Sequence, residues 1–173
     1  MKLIEGMKQL KVIEKRMKSN AERINQYAAI VSSERPIFNT EVEQRKQVQS
    51  LIQANTDLAG EYLTLKKRVD FTNIQVRVSI SKESYSISDL LQIRRVVGAL
   101  MKGTYAALND RLAEQRLIAT RVSSGQTGEK PPRVERMYDE TEKYGGMQKW
   151  QDLLDEIETR LEVINATTEL LSL

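Results

Sequence analysis

MQKWQDLLDEIETRLEVINATTELL, residues 147–171, decides the fold class of this chain. Met147, Trp150, Leu154, Ile157, Leu161, Ile164, Thr168 and Leu171 recur at alternating steps of three and four. That spacing lines one face of an α-helix with apolar side chains, and a strand's period of two does not fit it. A helix carrying such a stripe is marginal alone and gains its stability by packing the stripe on partner helices.

The same pattern opens the chain. Leu3, Met7, Leu10, Met17, Ala21, Ile24, Ala28 and Val31 hold one register, with Glu14 breaking it beside Ile13. The expected helix covers about residues 2–32 and extends ~45 Å at about 1.5 Å per residue. SSERPIFNT (32–40) interrupts it, because Pro36 forbids helix continuity. Asn39 or Thr40 is placed to cap a second helix over about 40–73. Its seam runs through Val42, Val48, Leu51, Asn55, Leu58, Tyr62, Leu65 and Val69. Asn55 is the polar residue on that seam, a position that fixes register at a cost in stability.

The period then switches. Ile74, Val76, Val78 and Ile80 alternate with polar residues, and SYSIS (84–88) is able to pair back. This predicts a β-hairpin over about 74–87, whose turn type stays open because Gly and Asn are missing from it. Ser88 and Asp89 read as the start of a third helix, over about 88–121, with Gly98 and Gly103 inside it permitting close packing or a kink. A loop at 122–132 and a turn at Gly145-Gly146 precede the last helix, over about 147–171. The expected fold is mainly α: one helical domain, 1–173, with long amphipathic helices in an antiparallel bundle or coiled-coil arrangement and a small β-hairpin.

Composition narrows the chemistry. Charged residues make up 29% of the 173 and aromatic residues only 5%, so the core is aliphatic. The chain has no Cys and no His. Thiolate chemistry, disulfides and histidine-dependent triads are excluded within one chain. No catalytic residue, metal ligand set or cofactor is expected, although an oxygen-only Mg²⁺ or Ca²⁺ site stays open in principle. Charges interrupt the first segment every few residues, and no run reaches the ~20 apolar residues of a membrane span, so no membrane and a cytoplasmic location are expected.

Charge is unevenly placed. Residues 2–32 hold seven Lys/Arg against three Glu, or +4, and residues 134–173 hold four basic against ten acidic residues, or −6. A basic first helix and an acidic last helix are expected to attract one another, within the chain or between subunits. Nucleic-acid binding is not expected, since no aromatic platform is interleaved with Lys8, Lys11, Lys15, Arg16 and Lys18.

SYSISDLLQIRR (84–95), leading to Tyr105 and Arg111, is the stretch that most resembles a site. It sets hydroxyls, a helix start and two Arg close together, the combination that binds phosphate or carboxylate. The candidate ligand-binding residues are Tyr85, Ser88, Arg94, Arg95, Tyr105 and Arg111, with Arg133, Arg136 and Tyr138 extending the cluster if the loop folds back. In the plainer reading, Arg94 and Arg95 pair with Glu on a neighbouring helix. Paired acids such as Asp152, Asp155 and Glu156 read as solvated helix surface.

Several short stretches carry a family resemblance across most of the chain. They are EGMKQLKVIEKRM (5–17), ERINQY (22–27), ERPIF (34–38), VDFTN (69–73), SYSISDLLQIRR and LLDEIETRLEVINATTEL (153–170). The two Asn-bearing helix ends, with Asp70, Thr72 and Asn73 in one and Asn165 and Thr167 in the other, are the most telling. In these the chain resembles the small bacterial helical proteins that carry the name septicolysin. The resemblance implies an all-helical oligomer with a small β element, and supplies neither an activity nor catalytic residues. RVERMYDETEKYGG (133–146) departs from the more basic, serine-containing run of that family.

Three long seams exceed what a monomer of this length must bury. The expected function is therefore a non-enzymatic helical homo-oligomer, acting as an assembly, scaffold or protein-interaction protein. The alternative is an oligomer that binds a small ligand or nucleotide, an anion held by the Arg/Tyr cluster at the helix start.

Overall fold

The computed structural model describes residues 1–123 and 132–173. The loop expected at 122–132 lies almost wholly outside the described residues. The chain is mainly α-helical with one two-stranded antiparallel hairpin. The elements are α1 (Leu3–Tyr27), α2 (Glu41–Gln75), β1 (Arg77–Ile80), β2 (Glu83–Ser86), α3 (Ile87–Gln92), α4 (Gly98–Ala106), α5 (Arg111–Ser123) and α6 (Glu140–Thr167), with a π-turn, Ile93–Val97, joining α3 to α4. No described helix is long and apolar enough to cross a membrane. Internal contacts group the residues into two compact units. The first comprises Met1–Val78, Ser86–Ser88 and Glu162–Leu173, and the second Ser79–Tyr85 and Asp89–Leu161.

In the first unit α1 and α2 pack as an antiparallel pair. Leu3, Leu10 and Ile13 of α1 and Leu51, Leu65 and Val69 of α2 are its buried aliphatic residues. Ile13 takes the seam place beside Glu14, which turns outward to accept a hydrogen bond from Tyr62 Oη at 3.0 Å. The seam asparagine is satisfied: Asn55 Oδ1 accepts from Asn20 Nδ2 at 3.0 Å, and Asn55 Nδ2 donates to the Met17 carbonyl at 3.2 Å. Those bonds exist in one register only, since a shift of one residue would leave the amide groups unpaired.

α1 ends at Tyr27, short of the expected residue 32. Gln44, only 5% exposed, explains the end. Its Nε2 donates to the Tyr27 carbonyl at 2.8 Å, and its Oε1 accepts from the Ile37 backbone N–H at 3.0 Å. Tyr27 and Phe38 meet edge to face, with ring centroids 5.0 Å apart. Val31, assigned to the seam by its spacing, is out of the helix and exposed. Thr40 caps α2 by accepting from the Glu43 N–H at 3.2 Å.

The far end of the pair is closed by the chain's own ends. Leu3 N–H donates to the Thr168 carbonyl, and Leu170 N–H to the Met1 carbonyl, both at 2.8 Å. The Met1 amine and Lys2 Nζ bind the two oxygens of Glu169, at 3.0 and 2.6 Å. Gly6 makes room for Leu170, since a Cβ there would stand 2.6 Å from Leu170 Cδ1. Thr72, fully buried, donates to the Arg68 carbonyl at 2.7 Å and accepts from Leu171 N–H at 3.0 Å. The helix ends at 69–73 and 165–167 are thus tied through Thr72 and the strand-like segment after α6. The seam of α6 holds to Ile164, after which the chain leaves the helix and Leu170 takes the buried place.

The hairpin turn is Ser81-Lys82, with φ of 51° and 72°. Two consecutive positive φ values are the mark of a type I′ turn, here built without the usual Asn-Gly. The strands are shorter than the expected 74–87, because α2 continues to Gln75.

In the second unit the expected helix over 88–121 is interrupted twice. The backbone widens into the π-turn at Ile93–Val97, where Gly98 N–H reaches back to the Ile93 carbonyl. It breaks again after Ala106, and Asn109 serves both sides of that break. Its Nδ2 donates to the Ala107 carbonyl at 3.0 Å, and its Oδ1 accepts from Arg111 N–H at 3.2 Å. Gly98 is a close-packing glycine, with Leu154 Cδ2 2.6 Å from where its Cβ would stand, whereas nothing lies near that point at Gly103.

α6 begins at Glu140, seven residues before the expected start. Asp139 caps it, accepting from the N–H groups of Thr141 and Glu142. Gly145 and Gly146, read as a turn from sequence, lie inside this helix. Of the basic first and acidic last segments, the described ion pairs join Lys2, just before α1, to Glu169, just after α6.

Thr72→Val keeps the shape of the buried side chain and leaves Leu171 N–H without its acceptor. The expected loss is about 1–3 kcal/mol in urea unfolding, larger than that of Thr64→Val on the exposed face of the same helix.

Candidate functional site

The site is built in the second unit from β2, α4 and α6. A groove of about 790 Å³ is lined by Ser81, Glu83, Tyr85 and Tyr105 and, on α6, by Gln148, Lys149, Trp150, Asp152 and Glu156 with Gly145 and Leu153. That volume is in the range of small-molecule sites. A second groove, of about 830 Å³, shares Gly145 and Gln148 with it and adds Lys102 and Tyr144.

Tyr105 is seated over the helix backbone. A Cβ on Gly146 would lie 2.2 Å from Tyr105 Cε1 and 2.4 Å from Cζ, so only glycine admits the ring there. The Gly-Gly pair therefore serves a close approach rather than a turn. At Gly145, by contrast, no atom lies within 4 Å of the Cβ position.

Three carboxylates line the groove, and neutral groups occupy each. Tyr85 Oη donates to Glu83, Ser81 Oγ donates to Glu156 at 3.3 Å, and Gln148 Nε2 donates to Asp152 at 2.6 Å. The Glu83 carboxylate beside it holds the Tyr85 hydroxyl above its ordinary pKa, favouring the neutral phenol. Lys149 is the single cation of the lining, so the three acids and one Lys leave −2.

The residues proposed from sequence are divided. Tyr85 and Tyr105 line the same groove. Arg94, Arg95 and Arg111 do not line it. Arg94 Nη1 lies 3.7 Å from Glu158 Oε1, as the plainer reading had it. Arg95 and Arg111 present exposed side chains. Ser88 belongs to the other unit, in the first turn of α3 rather than at its cap. Arg133 pairs with Glu135 at 3.2 Å. Sequence reasoning passed over Trp150, taken as seam, and Asp152 and Glu156, taken as solvated surface. Their shared signal was the chain's only Trp set two and six residues before two acids spaced one helical turn apart.

A separate polar cluster fixes the break before α5. Arg136 binds Asp110 Oδ2 through Nε at 2.9 Å and Nη2 at 2.8 Å. Lys143 lies over the rings of Tyr138 and Tyr144, 5.6 and 5.3 Å from their centroids. Among the described residues no group of three or more acidic side chains is placed to hold a metal ion. Comparisons of the chain with protein-family models, with curated proteins and with solved structures return no match.

Two outcomes follow from this geometry. Gly146→Ala is expected to displace the Tyr105 ring at a net cost of about 1–3 kcal/mol, whereas Gly145→Ala raises stability by up to about 1 kcal/mol through helix propensity; urea unfolding of the two variants checks the contrast. The Arg136 hydrogen bond holds the Asp110 carboxyl below its usual range. A depressed carboxyl contributes stability above its unfolded pKa of about 4 and loses it as pH falls through the folded value. Thermal melts are therefore expected to drop as pH falls below about 4, and Asp110→Asn to shrink that drop.

Proposed function

We propose that the protein is a non-enzymatic helical homo-oligomer that acts as a scaffold or interaction protein in the cytoplasm. The observation that carries this reading is a second apolar stripe on α2. Ile52, Leu63 and Ile74 are 51%, 59% and 56% exposed. They stand eleven residues apart, three helical turns, so they share one line along the helix, away from the buried Leu51, Leu65 and Val69.

The stripe is symmetric about Leu63. Two copies meeting through antiparallel α2 helices around a twofold axis set Leu63 against Leu63 and Ile52 against Ile74. That is the self-complementarity an isologous interface requires. Thr56, Ala59 and Gly60 lie between Ile52 and Leu63, and nothing stands within 4 Å of where a Cβ on Gly60 would be. The half-buried Met17, Ile24 and Val48 at the loop end of the α1–α2 pair also support it, since two helices alone cover them only in part. An oligomer of this kind agrees with what the septicolysin resemblance implies.

The small-anion alternative draws less support, because the Arg side chains stand apart from the groove and the groove is acidic.

Light scattering on gel-filtered protein is expected to give a mass at least twice 19.8 kDa. Leu63→Glu is expected to return it to the single-chain mass with the helical circular dichroism retained. A sharp 19.8 kDa species for the unaltered protein overturns the reading.

A further inference from the structure

We propose that the groove between β2, α4 and α6 binds a small aliphatic diamine or polyamine. Three features of the groove combine to select this ligand, independently of the oligomeric state.

The first is charge. Glu83, Asp152 and Glu156 accept from a phenol, an amide and a hydroxyl, none of which neutralises a carboxylate. The groove keeps a net charge of −2 from its lining, so an anion is repelled and a cation drawn in. The second is the aromatic wall. Tyr85, Tyr105 and Trp150 all line the cavity, and an ammonium group over an aromatic face gains the ring's quadrupole attraction, most strongly over Trp. Apolar faces also cover the methylene chain between two amines, which a bare metal ion would leave unused. The third is spacing. Asp152 and Glu156 stand one turn apart on α6, about 6 Å along the axis, the separation of two ammonium groups joined by a short alkyl chain. Glu83 meets the same cavity from β2 and supplies a carboxylate on the other wall.

Gly146 lets the lining residue Tyr105 lie against α6, and the type I′ turn at Ser81-Lys82 brings Ser81 to Glu156.

Trp150 is the chain's single Trp and reports on the groove directly. Putrescine and spermidine are titrated into the full-length protein at constant ionic strength, with Trp fluorescence as the readout. A saturable change is expected for both. Asp152→Asn combined with Glu156→Gln preserves side-chain size and is expected to weaken binding at least tenfold, with circular dichroism unchanged. Light scattering in the same samples keeps this test distinct from that of oligomerisation. No saturable change with either amine overturns the proposal. So does an equal response to Mg²⁺ or to ATP, or an affinity unaltered in the double variant.

Discussion

Thr72 is the point on which the first unit closes. Its hydroxyl lies three residues past Val69, the last of the α2 seam, and three before the helix ends at Gln75 and the chain turns to strand. It returns one hydrogen bond to the Arg68 carbonyl and offers an acceptor to the Leu171 N–H. Buried backbone groups must find partners, and the segment after α6 has no helix to supply them. That segment instead pairs with residues 1–3 and leans on Thr72, with Leu3 and Leu170 buried against the surroundings this creates. Arg68 Nε adds a bond to the Leu171 carbonyl at 3.2 Å.

Along the rest of α1 and α2 the polar seam residues set register more than they add stability. Asn20 with Asn55 at the middle, and Gln44 at the turn, each join two backbone or amide groups that have no partner in any neighbouring register. The apolar seam alone would tolerate a slip of one heptad. Unsatisfied buried amides would not. The outcome is a helix pair of defined length with its aliphatic cover strongest near Leu3, Leu65 and Val69 and thinner toward the loop.

The second unit depends on backbone proximity instead. Gly98 and Gly146 let Leu154 and Tyr105 approach helix backbone to distances that any side chain at those positions would block. The π-turn before Gly98 and the Asn109 break after α4 redirect the chain, with Gly98 N–H donating to the Ile93 carbonyl and Asn109 Nδ2 to the Ala107 carbonyl. The acidic and aromatic groove exists because these departures from regular helix set Tyr105 beside α6, in the same cavity that Tyr85 enters from β2.

The sequence by itself determined the fold class, the hairpin, and most of the seam residues. It did so because burial of one face imposes a period, and the period is legible in Leu, Ile, Val and Met wherever a helix stays regular. It also marked Asn55 as a polar seam position and Asn39 or Thr40 as a cap, of which the structure uses Thr40. Only the tertiary structure decided where the helices stop. Gln44 ends α1 from 17 residues away, Asn109 splits the third helix, and Asp139 starts α6 ahead of two glycines that look like a turn. Whether a Gly-Gly pair bends a chain or admits a ring depends on what packs above it, and nothing local records Tyr105. The site divides for the same reason. Tyr85 and Tyr105 are 20 positions apart in the sequence yet line one groove, while Arg94 and Arg95, nearer in sequence, face elsewhere because the π-turn resets the helical phase before α4.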